Sequence, residues 1–139
     1  MVHQSLAIKG IASAEVPSVW DEVKPMLMPA VHKVEMDDLD LFEALWNADM
    51  QLWVGIENEK IICAMTTRID THEHGKVATI LHVGGRFEKE FTEYLPRLKQ
   101  WAKASGADYL RLIGRPAWSR KLKEHFETNF VMMESRLCQ

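Results

Sequence analysis

Residues 51–83, QLWVGIENEKIICAMTTRIDTHEHGKVATILHV, decide the fold. Three runs within them read as strands: 51–56 (QLWVGI), 60–69 (KIICAMTTRI) and 76–83 (KVATILHV). Each is rich in the β-branched and aromatic residues that suit a pleated surface. Glu57-Asn58-Glu59-Lys60 is a polar turn between the first two, and residues 70–75 (DTHEHG) are a second turn. Connections this short join antiparallel neighbours, so the stretch predicts a three-strand meander. Gly84-Gly85 ends it with a permissive backbone.

On the C-terminal side, residues 91–105 carry Phe91, Tyr94, Leu95, Leu98, Trp101 and Ala102 on one face of an amphipathic helix. Pro96 is best tolerated in a first turn, which predicts a start near 92–95. Ser105-Gly106 is a glycine stop. Residues 108–113 (DYLRLI) read as a short strand. Pro116 suits a first helical position, and Trp118, Leu122 and Phe126 follow at helical spacing. Residues 130–137 (FVMMESRL) read as a closing strand.

On the N-terminal side, residues 16–28 place Val16, Val19, Trp20, Val23 and Leu27 at helical spacing. Ser13 is the expected N-cap and Pro17 falls in the first turn. Pro25 kinks that helix or nearly ends it, and Pro29 strengthens the stop. Residues 37–47 (DDLDLFEALWN) form a second helix, with aspartates at the positive end of its dipole. The order is α-α-β-β-β-α-β-α-β. It predicts a mixed α/β (α+β) domain spanning 1–139, one mixed central sheet with helices on both faces.

The size and composition agree with that reading. The chain has 139 residues, 47% hydrophobic and 27% charged, which excludes disorder and collagen-like repeats. No apolar run approaches the roughly 20 residues of a membrane-spanning helix. The opening MVHQSLAIKG lacks a basic head and long apolar stretch, so no secretory signal is expected. Cys63 and Cys138 make no disulfide framework, and a reducing, cytoplasmic compartment is expected. The net charge of −3 hides an asymmetry: residues 1–60 hold four Lys/Arg against eleven Asp/Glu, and residues 97–139 hold nine against four. The basic half meets the acidic half, meets an anion, or is simply solvated.

The element order, with particular phrases, resembles the GNAT (Gcn5-related N-acetyltransferase) fold over about residues 15–137. The phrases are Gln51–Ile56 with Glu59–Ala64, Trp101–Gly106 before Asp108–Leu112, and Leu122–Phe126 before Asn129-Phe130-Val131. More narrowly, Met50–Val54, Gly84-Gly85-Arg86 and Gly114-Arg115-x-x-Trp118-x-Arg120 resemble short acetyltransferase-like proteins of phages and prophages. The resemblance implies an N-acetyltransferase with acetyl-CoA as co-substrate and an unknown amine acceptor. In that family the acyl-CoA lies in a V between the central strand and its parallel neighbour. Its pyrophosphate sits on unpaired amides before the next helix, a natural anion site. Carried over, the cofactor-binding residues are Val83, Gly84, Gly85 and Arg86, with His82 as the candidate catalytic base. Arg115, at a strand end beside that cleft, is a candidate phosphate clamp.

Two departures from the family pattern motivate a second reading. The loop after the third strand has one glycine pair, followed by Glu88 and Glu90, and strand 76–83 has no carboxylate. Phe126 stands where many members have a tyrosine that protonates the leaving thiolate. The alternative is a catalytically silent GNAT-like phage virion or interaction protein, with other phage proteins as partners and the virion as its location. Nucleic acid ranks last, because the basic helices lack interleaved exposed aromatics and any known motif. His72 and His74 lack a third ligand, so no metal is expected. Cys63 reads as a small buried hydrophobe.

Overall fold

The computed structural model describes residues 6–32, 34–86 and 91–113, together with residues 120, 124, 126, 127, 135 and 136. Among these residues the framework is a five-stranded mixed sheet in the order β1-β2-β3-β4-β5. The strands are β1 (Leu6–Ile11), β2 (Gln51–Glu57), β3 (Lys60–His72), β4 (Gly75–Gly85) and β5 (Tyr109–Leu112). The helices are α1 (Val16–Leu27), α2 (Asp38–Trp46) and α3 (Phe91–Ala104). The first four strands pair antiparallel, and β5 runs parallel to β4.

The expected meander is β2-β3-β4. Asn58 and Glu59 join β2 to β3 with φ of +51° and +66°, the left-handed pair that a tight two-residue turn requires. One strand was not expected: β1 lies on the edge and pairs with β2 from Leu6 opposite Glu57 to Ile11 opposite Leu52. Ser13 therefore caps no α-helix. It opens a single 3-10 turn, and Glu15 is the N-cap of α1. Pro17 does sit in the first turn, and Pro25 lies two residues before the end of α1, where the chain tightens into a 3-10 turn over Met28–Ala30. The start of α3 is also corrected, from 92–95 to Phe91, with Pro96 its sixth residue. The amide that Pro96 lacks would have bonded the carbonyl of residue 92, so the loss is confined to the first turn. The expected final helix near 116–126 and closing strand 130–137 fall almost wholly outside the described residues.

The sheet separates two cores. On one face α1 and α2 bury Val16, Val23, Leu27, Leu41 and Leu45 against Leu52, Val54 and Ala64. On the other, Tyr94, Leu95 and Leu98 of α3 cover Trp53, Cys63, Met65 and Ile80. Strand alternation produces this division: Leu52 and Val54 face α1, and Trp53 between them faces α3. Lys24 of α1 reaches Asp38 at the start of α2 at 2.8 Å. Asp37 and Asp40 form a reciprocal capping box on α2. At the far end of the sheet, Lys76 ties β4 to the α3–β5 turn. Its amide donates to Asp108 Oδ2 (3.0 Å), its carbonyl accepts from the Asp108 amide (2.8 Å), and its Nζ donates to the Ser105 carbonyl (3.0 Å).

Candidate functional site

From the Lys76 end, β4 and β5 run together and then part. The parallel register covers Val77 with Tyr109 through Ile80 with Leu112. Among the described residues the last link is the Ile113 amide donating to the Ile80 carbonyl at 3.1 Å. Beyond it β4 continues to Gly85, held on its other side by β3: Thr66 lies opposite His82, Met65 opposite Val83, Ala64 opposite Gly84 and Cys63 opposite Gly85. Among the described residues β4 therefore has no partner on the β5 side over 81–85, and that stretch is the open mouth of a V between the two parallel strands. The Arg86 amide donates to the Ile62 carbonyl at 3.0 Å. Ladder alternation then turns the backbone N–H and C=O of Val83 and Gly85 away from β3, toward the mouth of the V.

A β-bulge lies where the strands part. Thr67 is opposite Ile80 but Thr66 is opposite His82, so Leu81 is the extra residue. The bulge resets the alternation. Ile80 and Val83 pack on the α3 face, whereas Leu81 packs on the α1–α2 face. His82 joins Leu81 there, with its Nδ1 2.7 Å from Oγ1 of Thr66, its cross-strand neighbour. Strict alternation from Ile80 would have put His82 beneath α3. Burial holds its pKa below the ordinary histidine value; Glu35 opposes this shift and Arg68 adds to it. The loop after α1 that carries Glu35 also supplies His32 and Val34 to an open cleft of about 480 Å³, completed by Ser135 and Arg136.

The glycine pair has two separate reasons. A Cβ on Gly84 would run into the carbonyl oxygen of Met26, because the end of α1 lies against the strand. Gly85 holds a φ of +92°, and a Cβ there would press on the Ile62 carbonyl. Arg86 is exposed, and its Nη2 meets Glu57 Oε2 at 3.1 Å. The structure thus brings Val83, Gly84, Gly85 and Arg86 to the open end of the V and aims His82 to the α1–α2 face. Arg115 lies outside the described residues, as do Phe87 and Trp118. Phe126 is half-buried and packs with the α3-side core. His72, the last residue of β3, and His74, in the β3–β4 turn, are both exposed. Among the described residues no helix is long and apolar enough to cross a membrane.

Three features of this region escaped sequence reasoning: the bulge at Leu81, the Thr66 partner and the approach of Glu35. Thr66 and Glu35 are ordinary polar residues in the sequence, and their relation to His82 exists only through the register of β3 on β4.

The sequence matches no protein-family model and no curated protein. The fold does have solved counterparts. An aminoglycoside acetyltransferase from an uncultured soil metagenomic sample, in complex with sisomicin, superposes with a TM-score of 0.69 at 15% identity over 96% of this chain and 97% of its own. A predicted acetyltransferase from Clostridium acetobutylicum, with acetyl-CoA, gives 0.68 at 16% identity over 95% and 96%. Aminoglycoside N-acetyltransferase AAC(6')-Iy in complex with CoA gives 0.66 at 13% identity over 99% and 98%. At these identities the likeness is one of fold: the chain has the architecture of the GNAT acetyltransferases.

Proposed function

We propose that this protein is an N-acyltransferase that takes acetyl-CoA as co-substrate and transfers its acyl group to an amine. The observation that carries this reading is the V between β4 and β5, with backbone groups of Val83 and Gly85 turned toward its mouth. An extended amide-bearing arm such as pantetheine fits such a strand end, because it can supply the missing ladder partner. Structural neighbours bound to CoA and acetyl-CoA support the same reading. The cofactor pyrophosphate is proposed to lie past Gly84 and Gly85, near the N-terminus of α3, with Arg86 and Arg115 on its flanks. The amine is proposed to approach from the α1–α2 face, where His82, Glu35 and the His32–Arg136 cleft lie. Attack of its lone pair on the thioester carbonyl forms the C–N bond as the C–S bond breaks, and the surplus proton of the amine passes, directly or through water, to the departing sulfur, so that the products are the amide and CoA thiol. Backbone amides that hold the carbonyl oxygen supply the main stabilisation.

Titration calorimetry with acetyl-CoA tests this directly. Micromolar binding is expected, with a melting temperature raised by about 10 °C at a hundredfold excess over Kd. The Arg86→Glu variant places a negative charge at the proposed pyrophosphate site without disturbing either glycine, and should weaken binding at least about tenfold. No heat and no melting shift at millimolar acetyl-CoA would overturn the reading. A catalytically silent GNAT-like protein would then be favoured. Phe126, which has no proton to give and packs into the core, is the observation on that side. The phage origin, virion or host-cytoplasm location and phage partners rest on the phrases around Met50–Val54, Gly84-Gly85-Arg86 and Gly114–Arg120. Mass spectrometry of purified particles would decide between virion and cytoplasm.

A further inference from the structure

Thr66 is fully buried, and its Oγ1 lies 2.7 Å from Nδ1 of His82. Among the described residues that ring nitrogen is the one hydrogen-bond partner of the hydroxyl. Two arrangements fit the distance. In the first, Nδ1–H donates to Oγ1. The hydroxyl hydrogen is then left buried with no acceptor among the described residues, the costly way to bury a polar group. In the second, Oγ1–H donates to the lone pair of a neutral Nδ1. Both groups are then satisfied, and the ring hydrogen must sit on Nε2. We infer that Thr66 fixes His82 as the neutral Nε2–H tautomer, so that Thr66 is a positioning residue and His82 a hydrogen-bond donor on the α1–α2 face.

The assignment changes the chemistry expected of the ring. Nε2, turned away from Thr66 and without a partner among the described residues, has no lone pair with which to take a proton from an amine. It offers an N–H to an oxygen instead. This part rests on the acyltransferase reading, in which that oxygen is the thioester carbonyl, where a neutral donor suits the charge that develops on attack. The same bond resists protonation. Charging the ring places a hydrogen on Nδ1, turns the Thr66 hydroxyl round and strands its hydrogen. The charged groups that act on the ring are Glu35 in the α1–α2 loop, which favours the cation, and Arg68 on β3, which opposes it. Burial adds to the opposition.

The test uses the full chain, labelled with nitrogen-15 and free of ligand, in long-range proton–nitrogen spectra of the histidine rings at pH 7.5. His82 signals are identified by their loss in His82→Gln. The neutral Nε2–H pattern is expected in the wild type and in Thr66→Ser, and a mixture of tautomers in Thr66→Val. An Nδ1–H pattern in the wild type would overturn the inference with no variant needed. So would a folded Thr66→Val that keeps the wild-type pattern. Because acetyl-CoA is absent, failure of the acyltransferase reading leaves this result intact. Where acetyl transfer is measured, Thr66→Val should lower kcat about tenfold with KM for acetyl-CoA unchanged, as when an orienting partner is removed. Thr66→Ser should restore it, and an unchanged kcat in Thr66→Val would deny the positioning role.

Discussion

Gly84 and His82 lie two residues apart and carry opposite kinds of constraint. Gly84 is defined by what it lacks, since the Met26 carbonyl occupies the space a Cβ would need. Gly84→Ala must push α1 off the sheet or bend β4. A loss of about 1–3 kcal/mol is expected from such overpacking, read by urea unfolding. His82 is defined by its surroundings, which lower its pKa chiefly through burial. The unfolded chain takes up that proton below about pH 6.5, and the folded chain takes it up only at lower pH. Stability should therefore hold steady above about pH 6.5 and fall as pH drops from there toward the folded value. Comparing melting temperatures of wild type and His82→Gln between pH 7.5 and 5 checks the sign. The variant should show a shallower acid-side decline, and an equal slope would remove His82 as its source.

Among the elements, α2 shows how much a short helix owes to its first turn. Asp37 Oδ1 accepts from the Asp40 amide at 2.8 Å, and Asp40 Oδ2 accepts from the Asp37 amide at 3.1 Å. Asp37→Ala removes one half of this box and should cost about 1 kcal/mol, or about 4 °C in melting temperature. That helix was legible in the sequence because its aspartates and its Leu41–Leu45 spacing are local signals. So was the meander, whose turns carry their own chemistry. The edge strand β1 was not, although Leu6, Ile8 and Lys9 hint at alternation, because its partner lies more than forty residues away. Of the candidate site, the strand end at Val83–Arg86 could be read from the glycine pair. The facing of His82 could not. One bulged residue, Leu81, reverses the side on which the histidine stands, and a bulge in β4 leaves no mark in residue type.

For the whole molecule, the decisive fact is that the sheet divides the interior. Val23 belongs to the core under α1 and Leu98 to the core under α3, both fully buried. Val23→Ala should cost about 2 kcal/mol and Leu98→Ala about 2–5 kcal/mol. With a sheet between them and no hydrophobic residue common to the two cores among the described residues, the double variant should lose both amounts to within about 0.5 kcal/mol. Denaturant curves of the four proteins check this, and a coupling well above that figure would mean that the sheet transmits strain from one face to the other.

The parting of β4 from β5 gives a single strand two dynamic regimes. Near Lys76 the backbone is fastened on both flanks, and the amides of Val77 to Ile80 are enclosed by neighbours. At Val83 and Gly85 the amides point toward the mouth of the V. Deuterium should thus enter β4 as a gradient, slowly at one end and fast at those two positions at the other. Any molecule that seats itself as the missing neighbour strand would announce its arrival by silencing the fast pair.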